Sequence, residues 1–176
     1  MDHQDHVNLL RAGVTRPGGV WADFGSGDGA FTLALAELIG STGQIYSLDK
    51  SKGKLGRQER AMQERFPDVV QIYLQADFTK KVELPALDGL VMANSLHFIR
   101  NKEPVVRLLH SYLKPDGRFI LVEYNSDRGN PWVPHPLSFD TWTGLARKAG
   151  FERTELLATV PSRFLGEIYA AASYDL

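Results

Sequence analysis

Residues 23–29, Asp23-Phe24-Gly25-Ser26-Gly27-Asp28-Gly29, set three glycines at alternate positions, with one acid ahead of them and another among them. Glycine reaches positive φ without strain and lets a backbone approach a ligand with no Cβ in between. An ordinary turn needs one or two such residues; three in alternation make an open floor. The acids indicate what could lie on it. A carboxylate at Asp23 attracts a cation and repels a diphosphate. Asp28 is expected to face solvent and Ser26 to set the turn. Gly25-x-Gly27-x-x-Ala30 also fits the dinucleotide fingerprint, and Asp49 lies where that fingerprint has its ribose-binding acid. An NAD(P)-dependent oxidoreductase is therefore a competing reading, opposed by Asp23 and by a length short for a separate catalytic domain.

Other chemistries are bounded by what the chain lacks. It has no cysteine, which excludes disulfides, thiolate metal sites and a cysteine nucleophile. His3, His6, His97, His110 and His135 show no tight ligand spacing, and no metal site is expected. A formal net charge of −1 gives no overall basic field, so no nucleic acid partner is expected. No apolar run reaches the length of a membrane span, and the opening MDHQDHVNLLRAG is acidic and polar, unlike a secretion signal. A cytoplasmic location away from membranes is the expectation.

The elements that would position the loop follow from hydrophobic period and punctuation. A short helix over 3–12 precedes the Arg16-Pro17-Gly18-Gly19 turn, then GVWADF reads as a strand and GAFTLALAELIG as a helix. The loop thus sits between a strand end and a helix start, the context a nucleotide-binding loop requires. Strands over 44–49, 69–77, 87–96 and 118–125 follow, with helices SKGKLGRQERAMQERF, KEPVVRLLHSYL and SFDTWTGLARKAG among them. KPDG reads as the turn before the fifth strand. Two β-rich runs, FERTELLATV and RFLGEIYAAAS, close the chain with only Pro161-Ser162 between them, too close for a crossover, so the last strand should run antiparallel. The expected fold is α/β: a three-layer, doubly wound, seven-stranded and mainly parallel sheet with an antiparallel last strand. One domain spans 1–176, with a short N-terminal helix in 1–17 and the core in 18–174.

This series resembles the class I S-adenosylmethionine-dependent methyltransferases, over nearly the whole of 18–174. Asp-x-Gly-x-Gly-x-Gly after a strand is similar to their first motif, which implies that Asp23, Gly25, Ser26, Gly27 and Gly29 belong to the cofactor site. The resemblance implies that Asp49 holds the ribose hydroxyls, with Lys50 beside the adenosine. It likewise implies that Asp77, in QADF, accepts from the adenine amino group, with Phe78 against the ring. LDGLVMANSLHF is similar to the fourth-strand block, placing Asn94 near the methionine moiety, and LKPDGRFILVEYN to the fifth-strand block. The implied cofactor is S-adenosyl-L-methionine, with S-adenosyl-L-homocysteine as product. Its sulfonium and ammonium suit the acids around the loop.

Methyl transfer from a sulfonium needs an aligned nucleophile in a dry pocket, and a hydroxyl or protonated amine also gains from a general base. His97, just beyond the fourth strand, is the first candidate because histidine titrates near neutral pH; Glu123 and His135 are the others. Glu123 could instead bind an acceptor hydroxyl or cap a helix. Trp21 reads as strand core, and Trp132 and Tyr124 as walls of the acceptor site. The missing cysteine argues against attack on a pyrimidine C5, and ANSLHF is not the Asn-Pro-Pro-aromatic motif of exocyclic-amine methylation. The expected partner is a small-molecule methyl acceptor, in the manner of the quinone-biosynthesis branch. The loop over 125–137 is read as a lid. A non-catalytic cofactor-binding subunit is a further alternative, and a homo-oligomer stays open.

Overall fold

A computed structural model describes residues 1–176. Its thirteen regular elements begin with α1 (His3–Arg11), β1 (Gly19–Phe24), α2 (Ala30–Ile39), β2 (Gly43–Asp49), α3 (Lys52–Arg65) and β3 (Val70–Gln75). They continue with β4 (Leu87–Ala93), a short 3₁₀ turn (Leu96–Phe98), α4 (Glu103–His110), β5 (Leu113–Tyr124), α5 (Phe139–Ala149), β6 (Arg153–Ser162) and β7 (Gly166–Tyr174). The strands form one sheet in the order β3-β2-β1-β4-β5-β7-β6. The first five are parallel, while β7 runs antiparallel to both β5 and β6. The expected architecture is the observed one.

Alternate residues of the central strands feed two cores, as the strand period of two requires. Ala22, Phe24, Leu90, Met92, Phe119 and Leu121 face α4 and α5. Trp21, Val91, Ile120 and Val122 face α1, α2 and Met62 of α3. Helix boundaries follow local chemistry: Asp2 and Asp5 form a reciprocal capping box at α1, Ser138 caps α5, and Gly150 ends α5 with φ 115°. Gly89 leaves room for the Trp21 indole, which a Cβ there would meet at 2.2 Å, so Trp21 is indeed strand core.

Three boundaries differ from the sequence reading. β4 stops at Ala93, not 96, because Asn94 turns into the left-handed region at φ 51°. β5 begins at Leu113, with KPDG inside it: pairing passes from Leu87–Leu113 directly to Gly89–Arg118, so residues 114–117 bulge from the ladder instead of forming a separate turn. β3 spans Val70–Gln75, not 69–77, and residues 76–86 cross from it to β4 with Val82 and Leu84 packed on the core. No helix is long and apolar enough to cross a membrane. Strand order reverses between β1 and β4, so a crevice must open there at the C-terminal ends of the strands.

Candidate active site

A cleft of about 470 Å³ opens at that reversal, lined among others by Gly25, Ser26, Gly27, Asp49, Lys50, Asp77, Phe78 and Asn94. Eight predicted residues from four separate segments thus meet in one place. Gly25, Gly27 and Gly29 have φ of 71°, 57° and 91°, the left-handed region that the alternating glycines anticipate. A Cβ on Gly25 would lie 2.7 Å from that of Ser95, whereas one on Gly27 would meet nothing within 4 Å and would project into open space.

The loop is tied down at several points. Gly25 and Ser26 donate their backbone N–H groups to the Leu48 carbonyl at 2.8 and 3.0 Å. Gly27 donates its own to Asp49 Oδ2 at 2.9 Å, and Ser51 donates to Asp49 Oδ1 at 2.8 Å. From beneath, the wholly buried Gln58 donates through Nε2 to Ser26 Oγ at 3.0 Å and to the Gly27 carbonyl at 3.2 Å.

On the other wall, Asp77 Oδ1 accepts from the Thr79 backbone and hydroxyl at 2.9 and 2.7 Å, and its Oδ2 lies 3.4 Å from Lys50 Nζ. The Thr79 bonds, aided by Lys50, hold the Asp77 carboxyl below the usual carboxylate range. Asn94 Oδ1 is buried with no hydrogen-bond partner, on a residue whose φ of 51° is uncommon outside glycine. Buried carbonyl-type oxygens are nearly always paired, and this one, enclosed in the cleft wall, is an exception.

Asp23 and Gly29 sit outside the lining. Asp23 is 2% exposed, below the loop, and its Oδ2 accepts from the Thr32 hydroxyl at 2.6 Å. Burial, reinforced by the Asp49 charge against the Thr32 bond, pushes its carboxyl up to about 7. Gly29 is the residue before α2, where a Cβ would meet the Gln58 side chain at 2.4 Å. Asp28 faces solvent at the rim and pairs with Arg57 at 2.8 Å.

The three candidate bases lie beside the cleft. His97 Nδ1 is 2.8 Å from Glu123 Oε1, both residues are buried, and the His97 backbone N–H donates to Glu123 Oε2 at 3.2 Å. His135 donates its backbone N–H to the His97 carbonyl at 3.0 Å. The loop over 125–137 does not line the cleft. It packs through buried Val133 and Leu137, with Asp127 accepting from Ser138, so it is a buttress behind His97 and not a free lid. Trp132 projects into solvent, 73% exposed.

The sequence reading missed Lys54, Thr79, Ser95, Phe98 and Ile99 in the cleft wall, and Gln58 below it. Thr79 was the findable one, since a threonine two residues after an acid commonly closes an Asx-type turn. Gln58 gave no local signal on its polar helix.

A model described as "Methyltransferase domain" matches residues 16–155, most of the chain. The chain belongs to this methyltransferase domain family. The ubiquinone/menaquinone biosynthesis C-methyltransferase of Ectopseudomonas mendocina is 33% identical over 120 residues, covering 66% of this chain and 45% of that protein. The chain thus spans about half the length of the curated relatives it matches. The YcgJ protein of Bacillus subtilis shares the fold at a TM-score of 0.78, with 13% identity, over 99% of this chain and 100% of that one. The 1,6-didemethyltoxoflavin-N1-methyltransferase of Burkholderia thailandensis, solved with its acceptor and S-adenosylhomocysteine, does so at 0.75, with 19% identity, over 99% and 78% of the two chains. The class I methyltransferase fold is therefore the fold of this chain.

Proposed function

We propose that residues 1–176 act as one methyltransferase domain that moves a methyl group from S-adenosyl-L-methionine to a small-molecule acceptor. The observation that carries this reading is the donor set of the cleft. Three carboxylates and two lysines surround a glycine floor. Acceptor oxygens outnumber cations there, which suits a nucleoside bearing an ammonium and a sulfonium and disfavours a diphosphate. Bound, that cofactor supplies an electrophilic methyl group on a positively charged sulfur.

The chain's own residues hold it. Asp49, already fixed by Gly27 and Ser51, keeps free lone pairs for the ribose hydroxyls. Asp77 takes the adenine amino group, with Phe78 against the ring and Lys50 alongside. Asn94 lies beside the methionine end and meets it through its backbone. Gly25, Ser26 and Gly27 form the floor, while Asp23 and Gly29 act from beneath it, one through its charge and the other by admitting Gln58. The acceptor then enters on the side of His97, Glu123 and His135. Relatives named for quinone and toxoflavin methylation support a small-molecule acceptor.

Calorimetry with S-adenosylhomocysteine and with NAD(H), followed by turnover of labelled cofactor on a metabolite extract, tests the proposal. Binding of the first ligand with label transfer to a small molecule is expected. Binding of NAD(H) alone would return the reading to an oxidoreductase, and binding without transfer would leave a cofactor-binding subunit.

A further inference from the structure

A seam of three polar side chains runs through the layer between the sheet and α3, and none of the three lines the cofactor cleft. Gln71 on β3 and Ser47 on β2 face α3 together with Ile45, because the parallel register sets Gln71 beside Ile45 and Ser47 beside Tyr73. The layer is otherwise apolar there, with Ile45, Met62 and Val69 buried in one cluster. Gln71 Nε2 donates to Ser47 Oγ at 2.5 Å and, at 3.4 Å, to Oε1 of Gln58 on α3. Gln58 Nε2 in turn donates to Ser26 Oγ and the Gly27 carbonyl of the glycine loop. Ser47 and Gln58 are wholly buried.

The direction of these bonds is fixed from the loop outwards. A carbonyl only accepts, so Gly27 requires Gln58 to present its amide nitrogen to the loop. Gln58 Oε1 must then face away, where its one partner in the chain is Gln71. An amide oxygen needs a donor, so Gln71 presents Nε2, and Ser47 Oγ accepts from the same nitrogen. Both Gln71 side-chain bonds leave from that nitrogen, while its Oε1 is buried without a partner. The Gln71 amide is thus aimed at Gln58 although this leaves its own oxygen unpaired. Apolar side chains of the same shape would fill such a layer with little loss of stability, whereas a connected polar seam admits one arrangement.

We propose that Gln71 is a positioning residue for the cofactor: it holds Gln58 with its donor toward the glycine loop and so sets how Ser26 and Gly27 meet the nucleoside. The inference rests on the methyltransferase reading above. Gly27 is held at both ends, its N–H on Asp49 and its carbonyl on Gln58. Without Gln71, the buried Gln58 oxygen has no donor in the chain, and nothing keeps the amide in its orientation. Turning the amide over sets its oxygen against the Gly27 carbonyl and withdraws the donor. Gly27 is then held through its N–H alone, and the floor of the cleft loosens at the point where no Cβ shields it from the ligand.

The test is a double-mutant cycle on S-adenosylhomocysteine affinity, measured by calorimetry on the full chain well below its melting temperature. Gln71→Leu should weaken binding about 3- to 10-fold, the range of one neutral hydrogen bond. In a Gln58→Leu background the same substitution should change affinity by less than about 2-fold, because the seam is already cut. Gln71→Met serves in the same cycle where leucine impairs folding. Ser47→Ala, which removes the other acceptor of Gln71, should repeat the pattern at smaller size. A merely structural role would lower affinity equally in both backgrounds; that result, or an unchanged affinity in Gln71→Leu, would overturn the proposal. A second measurement needs no cofactor. The Gln58 side-chain amide protons, followed by NMR, should exchange with solvent slowly in the wild type and faster in Gln71→Leu, and equal rates would also overturn it. A wild type that fails to bind S-adenosylhomocysteine would sink the cofactor reading beneath the proposal, whereas the exchange rates judge the seam by itself.

Discussion

The backbone N–H of Gly27 donates to Asp49 Oδ2 at 2.9 Å, which joins the glycine floor to the acid that ends β2. The two features, separated by twenty-two residues, are one unit: the carboxylate proposed to hold a ribose also sets the height of the loop. Asp49→Ala removes charge-assisted bonds and releases Gly27. Its affinity for S-adenosylhomocysteine should fall by roughly 1.5–3 kcal/mol, measured by calorimetry. Unchanged affinity would mean the ribose binds elsewhere.

Gly25 and Gly27 separate backbone strain from occlusion. Both have positive φ, so alanine at either strains the chain by about 1–2 kcal/mol. Only Gly25→Ala adds a collision, with Ser95 at 2.7 Å, and should lower Tm further. Gly27→Ala should melt closer to wild type yet bind the nucleoside poorly, because its methyl enters the cleft. Adding Ser95→Gly to Gly25→Ala should recover part of the lost Tm; no recovery would mean the collision is absorbed by other movement.

Gln58 reaches Ser26 and Gly27 from α3 and is wholly buried. Gln58→Leu fills the same space and leaves Ser26 Oγ and the Gly27 carbonyl without their partner. Buried polar groups left unpaired cost about 1–3 kcal/mol each. Denaturant melts should show a loss in that range, with weaker S-adenosylhomocysteine binding in the same variant. A stability equal to wild type would mean water replaces the amide.

The order of elements and the positions of the loop and of Asp49 were legible because each rests on local pattern, whereas Asp77, Phe78 and Asn94 came only from the resemblance to the methyltransferase motifs. Glycine spacing fixes a backbone, and hydrophobic period fixes which residues face inward. What stayed hidden depends on distance in sequence. Gln58 looks like any polar residue of a charged helix until the sheet brings Gly29 against it. Glu123 and His97 stood out singly; that they pair follows from the parallel register of β4 and β5, which sets Ala93 beside Val122. The 125–137 loop looked like a lid because it is rich in proline and polar residues. Composition does not report that Val133 and Leu137 are buried under it.

Asp23 should make cofactor uptake depend on pH. Its carboxyl is raised from 3.8 to about 7 by burial, so the folded protein binds this proton more tightly than the unfolded chain. Stability from this group is fully present below about 3.8 and is lost as pH rises towards about 7. Asp23→Asn stays neutral and should therefore melt above wild type at pH 8, while the two converge at low pH. A cationic ligand favours the ionised form, so affinity for S-adenosylmethionine should rise between about pH 6 and 8 in wild type, with proton release on binding. Calorimetry in two buffers of different ionisation enthalpy measures that release. A pH-independent affinity, or equal release in Asp23→Asn, would show that the ligand does not sense this acid.

His135 acts on the site through its backbone, which predicts different outcomes for two substitutions at one position. Its N–H donates to the His97 carbonyl at 3.0 Å, while its imidazole makes no hydrogen bond in the chain. His135→Ala keeps the N–H and should leave turnover near that of wild type. His135→Pro removes the donor, frees the His97 carbonyl and should lower kcat by disturbing the ring held by Glu123, with S-adenosylhomocysteine affinity unchanged because the loop does not line the cofactor cleft. Steady-state kinetics alongside calorimetry reads both. If His135→Ala alone abolished turnover, the imidazole itself would be handling the proton, and His97 would lose its place as the base.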